Sequence, residues 1–158
     1  MKENISPEIT IVLVEDDPGH ALLIKKNLLR AGIINEIIHL DNGKKAIDFI
    51  FREIAEEKVG IQLPHYLILL DLNLPIVDGY QVLETLKTDA RTRHIPVIMM
   101  TTTGNDIEVR RCYESGCNMY LVKPVKYEKF AEAIQKLGLL LAFINTPESG
   151  QLRIEAKL

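Results

Sequence analysis

Short runs of apolar, mostly β-branched residues alternate along the chain with longer amphipathic stretches. The runs are continuously apolar, as expected for strands covered on both faces, and they span residues 9–14, 36–40, 66–70, 97–100 and 119–122. Apolar residues recur at three-to-four spacing over residues 19–31, 43–58, 80–88, 106–115 and 127–143, which predicts helices there. The pattern therefore predicts five successive βα units.

Five βα units with short connections favour a parallel sheet with right-handed crossovers and helices on both faces. They are too few to close an eight-stranded barrel. We predict an α/β, flavodoxin-like, doubly wound fold with strand order 2-1-3-4-5. The functional crevice of such a fold lies at the carboxyl ends of the strands, so the residues that leave the strands are the first candidates for function.

Composition narrows the range of partners. The 158 residues are 47% hydrophobic and carry a net charge of −3, which fits one globular domain. Acidic residues outnumber basic ones and no basic stripe is present, so we expect no direct nucleic-acid partner. No apolar run is long enough to span a bilayer and no signal peptide is recognisable, so we expect a cytoplasmic protein without membrane insertion. Cys112 and Cys117 match neither a redox pair nor a zinc half-site and are expected to be reduced and structural.

Carboxylates are concentrated where the first strand ends. Asp17 and Pro18 are accounted for as the cap and first residue of the following helix. Glu15 and Asp16 have no such explanation, and clustered carboxylates attract a hard divalent cation such as Mg²⁺. Asp71 ends the third strand, which is predicted to neighbour the first, so its carboxylate is expected to face this pair.

The last two strands deliver a hydroxyl and an ammonium group to the same edge. Thr101 ends the fourth strand and Lys123 follows the fifth. This set suits phosphoryl transfer to a carboxylate, with Asp71 as nucleophile and Mg²⁺ held by Asp16 and Asp71. Thr101 and Lys123 would then stabilise the remaining phosphoryl oxygens by positioning and electrostatics.

At this point the residues resemble a known family, the receiver domains of two-component response regulators. The resemblance covers residues 10–141. It is carried by the acidic pair Glu15–Asp16, the segment DLNLPIVDG that begins at Asp71, Thr101, and the segment YLVKP that ends at Pro124.

The resemblance implies a phosphoacceptor and a metal site. Asp71 would accept a phosphoryl group from a phosphohistidine of a partner kinase. Asp16 and Asp71 would bind Mg²⁺ directly, Glu15 through water, and Asn73 through its backbone carbonyl. Asn73 and Thr103 match positions that modulate hydrolysis of the acyl phosphate, so we expect moderate autodephosphorylation that slows in an Asn73→Ala variant.

The resemblance also implies a switch. Thr101 and Thr102 would contact the phosphoryl group, Lys123 would pair with it, and the peptide bond before Pro124 would be cis. Thr101 would move toward the phosphate while Tyr120 swings inward. The surface formed by the fourth helix, fifth strand and fifth helix would change, which is a population shift biased by one new charge.

The interval between Asp16 and Asp71 is wider than in compact receivers. The surplus lies in FREIAEEKVGIQLPHY, which is either a tolerated surface insertion or a binding element, and we favour the insertion. Together with LVEDDPGHALLIKKNL, it is similar to the receiver subgroup associated with phytochrome-type and other bacterial sensor kinases. The expected phosphodonor is such a sensor histidine kinase or a phosphotransfer protein.

The chain is predicted to divide into an arm (1–9), a receiver domain (10–144) and a tail (145–158). The stretch LGLLLAFI is richer in apolar residues than one buried helix stripe requires. It is either a buried helix end or a homodimer interface, and we expect the dimer. The residues after it are too few for a helix-turn-helix domain, so we expect a stand-alone receiver that acts through protein contacts.

Two other functions remain open. A receiver-like platform could act without phosphorylation, although the complete set of acceptor-site residue types argues against it. An aspartyl-nucleophile phosphohydrolase of the haloacid-dehalogenase type would need a second Asp where Asn73 stands. We therefore expect a phosphoacceptor signalling domain rather than an enzyme.

Overall fold

The computed structural model describes residues 9–55, 65–102, 104–133 and 136. Its centre is a five-stranded parallel sheet with the strand order β2-β1-β3-β4-β5. The strands are β1 Ile9–Val14, β2 Ile37–Leu40, β3 His65–Asp71, β4 Val97–Thr101 and β5 Met119–Val122. The predicted fold class and strand order are confirmed, and each strand bound lies within one residue of its predicted position.

Helices follow the strands as predicted. They are α1 Pro18–Arg30, α2 Gly43–Ala55, α3 Gly79–Thr88 and α4 Asp106–Glu114. Residues 127–133 and 136 are also helical and form the described part of α5. The predicted ends of the second and fifth helices lie outside the described residues, as do Thr103 and most of the predicted arm. Residues 56–64 of the enlarged segment before β3, the stretch LGLLLAFI (137–144) on which the dimer prediction rests, and the predicted tail also lie outside them.

Local sequence sets where two helices begin. Asp17 caps α1 by accepting a hydrogen bond from the backbone N–H of His20 at 2.9 Å, and Pro18 occupies the first turn. Asp78 and Gln81 form a reciprocal capping box at the start of α3. Both helices therefore begin immediately beside the strand ends β1 and β3.

Two apolar layers enclose the sheet. Val12 and Val14 of β1 face the layer formed with α2, α3 and α4, while Ile11 and Leu13 face the layer formed with α1 and α5. Burial on both faces explains why the central strands are continuously apolar in the sequence. Among the described helices, none is both long and apolar enough to cross a membrane. Cys112 and Cys117 are both free and buried, in agreement with a structural role.

Candidate functional site

Three carboxylates meet at the carboxyl ends of β1 and β3. The parallel pairing of the two strands places Val14 beside Leu70, so the residues that follow them emerge together. One oxygen each from Glu15, Asp16 and Asp71 lies within 4.8 Å of the others. Glu15 and Asp71 are buried, and Asp16 is exposed. The structure thus brings together the three acids that the sequence singled out.

Lys123 supplies the positive charge of this cluster. Its Nζ lies 2.6 Å from Glu15 Oε2 and 3.2 Å from Asp71 Oδ2, and its side chain is only 8% exposed. Burial alone would lower the pKa of Lys123, but the hydrogen bonds and charges of the two carboxylates raise it above its ordinary value. The backbone N–H of Lys123 donates to the carbonyl of Thr101 at 2.6 Å, which ties the ends of β5 and β4 together. The Lys123–Pro124 peptide bond is cis, as the resemblance to receiver domains implied.

The cluster carries more negative than positive charge, and the pKa of Asp71 reflects this excess. Burial, and then the neighbouring charge of Glu15, raise the pKa of Asp71 to about 6, whereas Lys123 acts in the opposite direction. Three carboxylates provide the all-oxygen donor set that a hard divalent cation prefers. The residues present therefore fit Mg²⁺, and a cation bound among them would favour the ionised form of Asp71.

The loop between β3 and α3 folds back tightly on the strand end. A Cβ atom on Gly79 would lie 2.3 Å from the carbonyl oxygen of Asp71, so only glycine fits this close approach. Ile76 adopts a φ of 71°, a left-handed conformation that is strained for a β-branched residue. The N–H of Asn73 lies 3.4 Å from Asp71 Oδ1. This loop thus holds the backbone of Asn73 against the carboxylate.

The two residues assigned to the switch are in contact. Thr101 is fully buried at the end of β4, and Tyr120 is half-buried on β5. Burial raises the pKa of Tyr120, while its hydrogen bond with Thr101 acts in the opposite direction. Thr102 is exposed at the same edge. A displacement of Thr101 would therefore directly change the contacts of Tyr120.

Two histidines that were not among the residues predicted from the sequence also contact this site. His20 Nδ1 lies 3.4 Å from Lys123 Nζ and 3.7 Å from Glu15 Oε1. His39 Nε2 lies 2.7 Å from the backbone carbonyl oxygen of Glu15. Neither has metal-ligand spacing in the sequence. The position of His20 in the first turn of a helix that begins at the site was the one available signal.

Comparison of the sequence with known proteins identifies one family. The sequence profile of the response regulator receiver domain matches residues 11–135. The chain is 39% identical over 127 residues to a probable methanogenesis regulatory protein, FilR2, of Methanothrix harundinacea, covering 80% of this chain and 79% of that protein. It is 34% identical over 135 residues to the response regulator Rcp1 of Synechocystis, covering 85% and 90% of the two chains.

The similar solved structures are also response regulators. The bacteriophytochrome response regulator RtBRR superposes with a TM-score of 0.70 at 39% identity, over 82% of this chain and 77% of that one. The Mn²⁺-bound form of Rcp1 superposes with a TM-score of 0.63 at 34% identity, over 87% and 95%. These neighbours confirm the predicted similarity to phytochrome-associated receivers. With its fold and strand-end residues, the chain belongs to the receiver domain family of two-component response regulators.

Proposed function

We propose that Asp71 is the phosphoacceptor of a two-component signalling pathway. The observation that carries this proposal is the position of Asp71, which is buried within 4.8 Å of two further carboxylates and 3.2 Å from Lys123 Nζ. The proposed donor is a phosphohistidine of a sensor histidine kinase or of a phosphotransfer protein. The similarity to RtBRR, a bacteriophytochrome response regulator, supports a phytochrome-like kinase.

The residues of the chain supply positioning and charge. An Asp71 carboxylate oxygen forms a bond to phosphorus, the bond between phosphorus and the donor's imidazole nitrogen breaks, and the electron pair stays on that nitrogen. Lys123 Nζ already lies beside Asp71 and is placed to pair with one phosphoryl oxygen. The Thr101 hydroxyl at the adjacent strand end, with Thr102 beside it, is proposed to bind another.

Mg²⁺ is the proposed cofactor. Asp16, Asp71 and the backbone carbonyl of Asn73 would hold it directly, and Glu15 would hold it through water. When bound, the ion would neutralise charge on the reacting oxygens. The fit of the acidic cluster, together with a solved Mn²⁺-bound form of the relative Rcp1, supports this assignment.

The proposed output is a change of the surface formed by α4, β5 and α5. A phosphoryl group on Asp71 would attract the Thr101 hydroxyl and so release its contact with Tyr120. Ile107 and Val122 on this surface are 78% and 47% exposed, which suits contact with another protein.

We further propose that a homodimer forms through the α5 region. Sedimentation equilibrium that shows only monomer, with and without a phosphoryl analogue, would exclude the dimer.

The signal is proposed to end by hydrolysis of the acyl phosphate. Asn73 is exposed two residues after the acceptor, so its amide is placed to influence an incoming water. We propose that Asn73, together with Thr103, sets a moderate rate of phosphate loss. Loss of phosphate from Asn73→Ala at the wild-type rate would remove Asn73 from this role.

Intact-mass measurement tests the central proposal. With Mg²⁺ and a small phosphodonor, the wild-type protein should gain the mass of one phosphoryl group, and Asp71→Asn should gain none. A wild-type protein that gains no mass would favour the phosphorylation-independent platform. Continuous release of phosphate from unrelated phosphomonoesters would instead indicate a phosphohydrolase.

Metal binding is tested separately by stability. A ligand that binds only the folded state at a hundredfold excess over its dissociation constant stabilises that state by about 3 kcal/mol. Saturating Mg²⁺ should therefore raise the melting temperature of the wild-type protein, and EDTA should reverse the rise. Asp16→Asn should respond much less, and an equal response would argue against the proposed ligand set.

A further inference from the structure

A buried carboxylate oxygen on α4 takes no part in the phosphotransfer chemistry proposed above. Glu108 lies in the first turn of α4, and its Oε2 is buried without a hydrogen-bond partner among the described residues. Buried polar atoms are nearly always hydrogen-bonded, because an unmatched one has lost its water and gained no partner in return. A conformation that gives this oxygen a donor is therefore favoured over the one seen here.

The side chains nearest to Glu108 include two tyrosines. Side chains four residues apart lie on the same face of a helix, so Glu108 and Cys112 face the same layer of the molecule. That layer also contains Tyr80 of α3 and Tyr120 of β5. The Tyr80 hydroxyl donates to the backbone carbonyl oxygen of Glu108 at 3.4 Å, which holds this turn of α4 beside the tyrosines.

The two tyrosines differ in their partners. The ring of Tyr80 lies under the guanidinium group of Arg111, whose central carbon is 3.8 Å from the ring centroid. The Tyr120 hydroxyl is hydrogen-bonded to Thr101. Burial raises the pKa of Tyr120, the bond with Thr101 acts in the opposite direction, and the negative charge of Glu108 is among those that raise it again. The Tyr120 hydroxyl therefore keeps its proton and is a donor within the field of this carboxylate.

Few buried groups attach α4 to the rest of the domain. Cys112 is the one buried residue among the nine of this helix. The ten residues of α3 include four buried ones, namely Gly79, Val82, Leu83 and Leu86. Elements with few buried apolar contacts shift or open at the lowest free-energy cost. A small displacement of α4 relative to β5 is therefore inexpensive.

We propose that Glu108 Oε2 becomes the hydrogen-bond acceptor of the Tyr120 hydroxyl once the protein is phosphorylated, and so fixes α4 against β5. The inference rests on the proposed phosphorylation of Asp71. The phosphoryl group draws the Thr101 hydroxyl away, and Tyr120 then donates to Glu108 instead. Because Oε2 has no partner beforehand, the new bond stabilises only the switched state. Glu108 is thus a positioning residue that acts on the α4–β5 surface through Tyr120.

The test uses beryllofluoride with Mg²⁺ as the phosphoryl analogue on the full chain, and an NMR titration gives its dissociation constant. A hydrogen bond to a charged acceptor changes an equilibrium by about ten- to a hundredfold. We expect Glu108→Ala to weaken binding about tenfold, and Glu108→Gln, which keeps a neutral acceptor, about threefold. Asp106→Ala is the matched control, because Asp106 carries the same charge in the same helical turn but is exposed. It should bind the analogue like the wild type.

Two background variants identify the partner of Glu108. Tyr120→Phe keeps the ring and removes the hydroxyl, so adding Glu108→Ala to it should cause no further loss of affinity. In a Tyr80→Phe background the tenfold loss should remain. The Cζ NMR signal of Tyr120 should also move when beryllofluoride binds the wild-type protein, and much less when it binds Glu108→Ala.

A measurement without the analogue separates this role from a merely structural one. In the unphosphorylated protein, Glu108→Ala should leave the free energy of unfolding unchanged or higher, because the oxygen that it removes has no partner there. A variant that unfolds more easily would mean that Glu108 supports the resting fold, and the proposal would be wrong.

The remaining outcomes distinguish this contact from the proposed function. Wild-type affinity in Glu108→Ala, with phosphorylation of Asp71 intact, would overturn the contact alone. An equal loss of affinity with and without the Tyr120 hydroxyl would show that Glu108 acts through another group, and would also overturn it. If the wild-type protein neither binds beryllofluoride nor gains a phosphoryl group, the proposed function fails and this contact with it.

Discussion

Replacing Asp71 by asparagine should stabilise the metal-free protein. The pKa of Asp71 rises from 3.8 to about 6 on folding, chiefly because its side chain is buried, and then because Glu15 lies beside it. Each pKa unit corresponds to about 1.4 kcal/mol, so the ionised Asp71 destabilises the folded state by about 3 kcal/mol at neutral pH. Lys123 keeps its 2.6 Å contact with Glu15 after the substitution, so no new unpaired charge is created.

The sign of the effect follows from proton binding. Between pH 3.8 and about 6 the folded state holds the Asp71 proton more tightly than the unfolded state. Stability therefore falls as pH rises through this window, and the loss is complete above it. Asp71→Asn lacks this titration, so its advantage over the wild-type protein should be largest at neutral pH and about half as large near pH 5.

Urea unfolding in the presence of EDTA measures this difference. At about pH 7.5 we expect the free energy of unfolding of Asp71→Asn to exceed that of the wild type by about 2 to 3 kcal/mol. Asp48→Asn is the control, because Asp48 forms a 2.6 Å ion pair with Lys44 but is 59% exposed. That change should alter stability by less than about 0.5 kcal/mol. An Asp71→Asn protein no more stable than the wild type, or an advantage independent of pH, would refute the reasoning.

Two further predictions concern the loop after β3. Gly79→Ala should cost at least about 2 kcal/mol and reduce phosphorylation, because its Cβ would lie 2.3 Å from a backbone oxygen. Gly104→Ala, whose Cβ would meet only a methyl group at 3.5 Å, should be nearly neutral in the same urea titration. Ile76→Asn should raise the free energy of unfolding by about 1 kcal/mol, because asparagine tolerates the left-handed conformation that strains isoleucine. Ile107→Asn, at an equally exposed helical position, should give no gain, and equal gains in both variants would mean that strain is not the cause.

The order of elements could be read from the sequence because this sheet is buried on both faces. Continuous apolar runs mark such strands wherever they occur in the chain, and the one-residue agreement of the strand bounds follows from that. The start of α1 could also be predicted from local sequence, because the capping residue Asp17 and the first-turn proline Pro18 are adjacent. The helix begins one residue before its predicted start because proline itself occupies the first turn.

The membership of the site was also largely available from the sequence. Parallel strands deliver their carboxyl ends to one edge, so Glu15, Asp16 and Asp71 could be grouped before any coordinates were known. Their spacing in the chain could not show which side chains contact one another. The pairing of Lys123 with Glu15 at a shorter distance than with Asp71, and the contacts of His20 and His39, join residues far apart in the sequence.

The sequence by itself therefore determined the fold, the strand order and the residue types collected at one sheet edge, because periodicity and strand ends are local properties of the chain. Only the tertiary structure decided the energetics of that edge. The raised pKa of Asp71, the strained φ of Ile76 and the contact of His20 with Lys123 all depend on groups that pack together from different parts of the chain. Burial and through-space charge act over a few ångströms in space, and distance along the sequence does not record them.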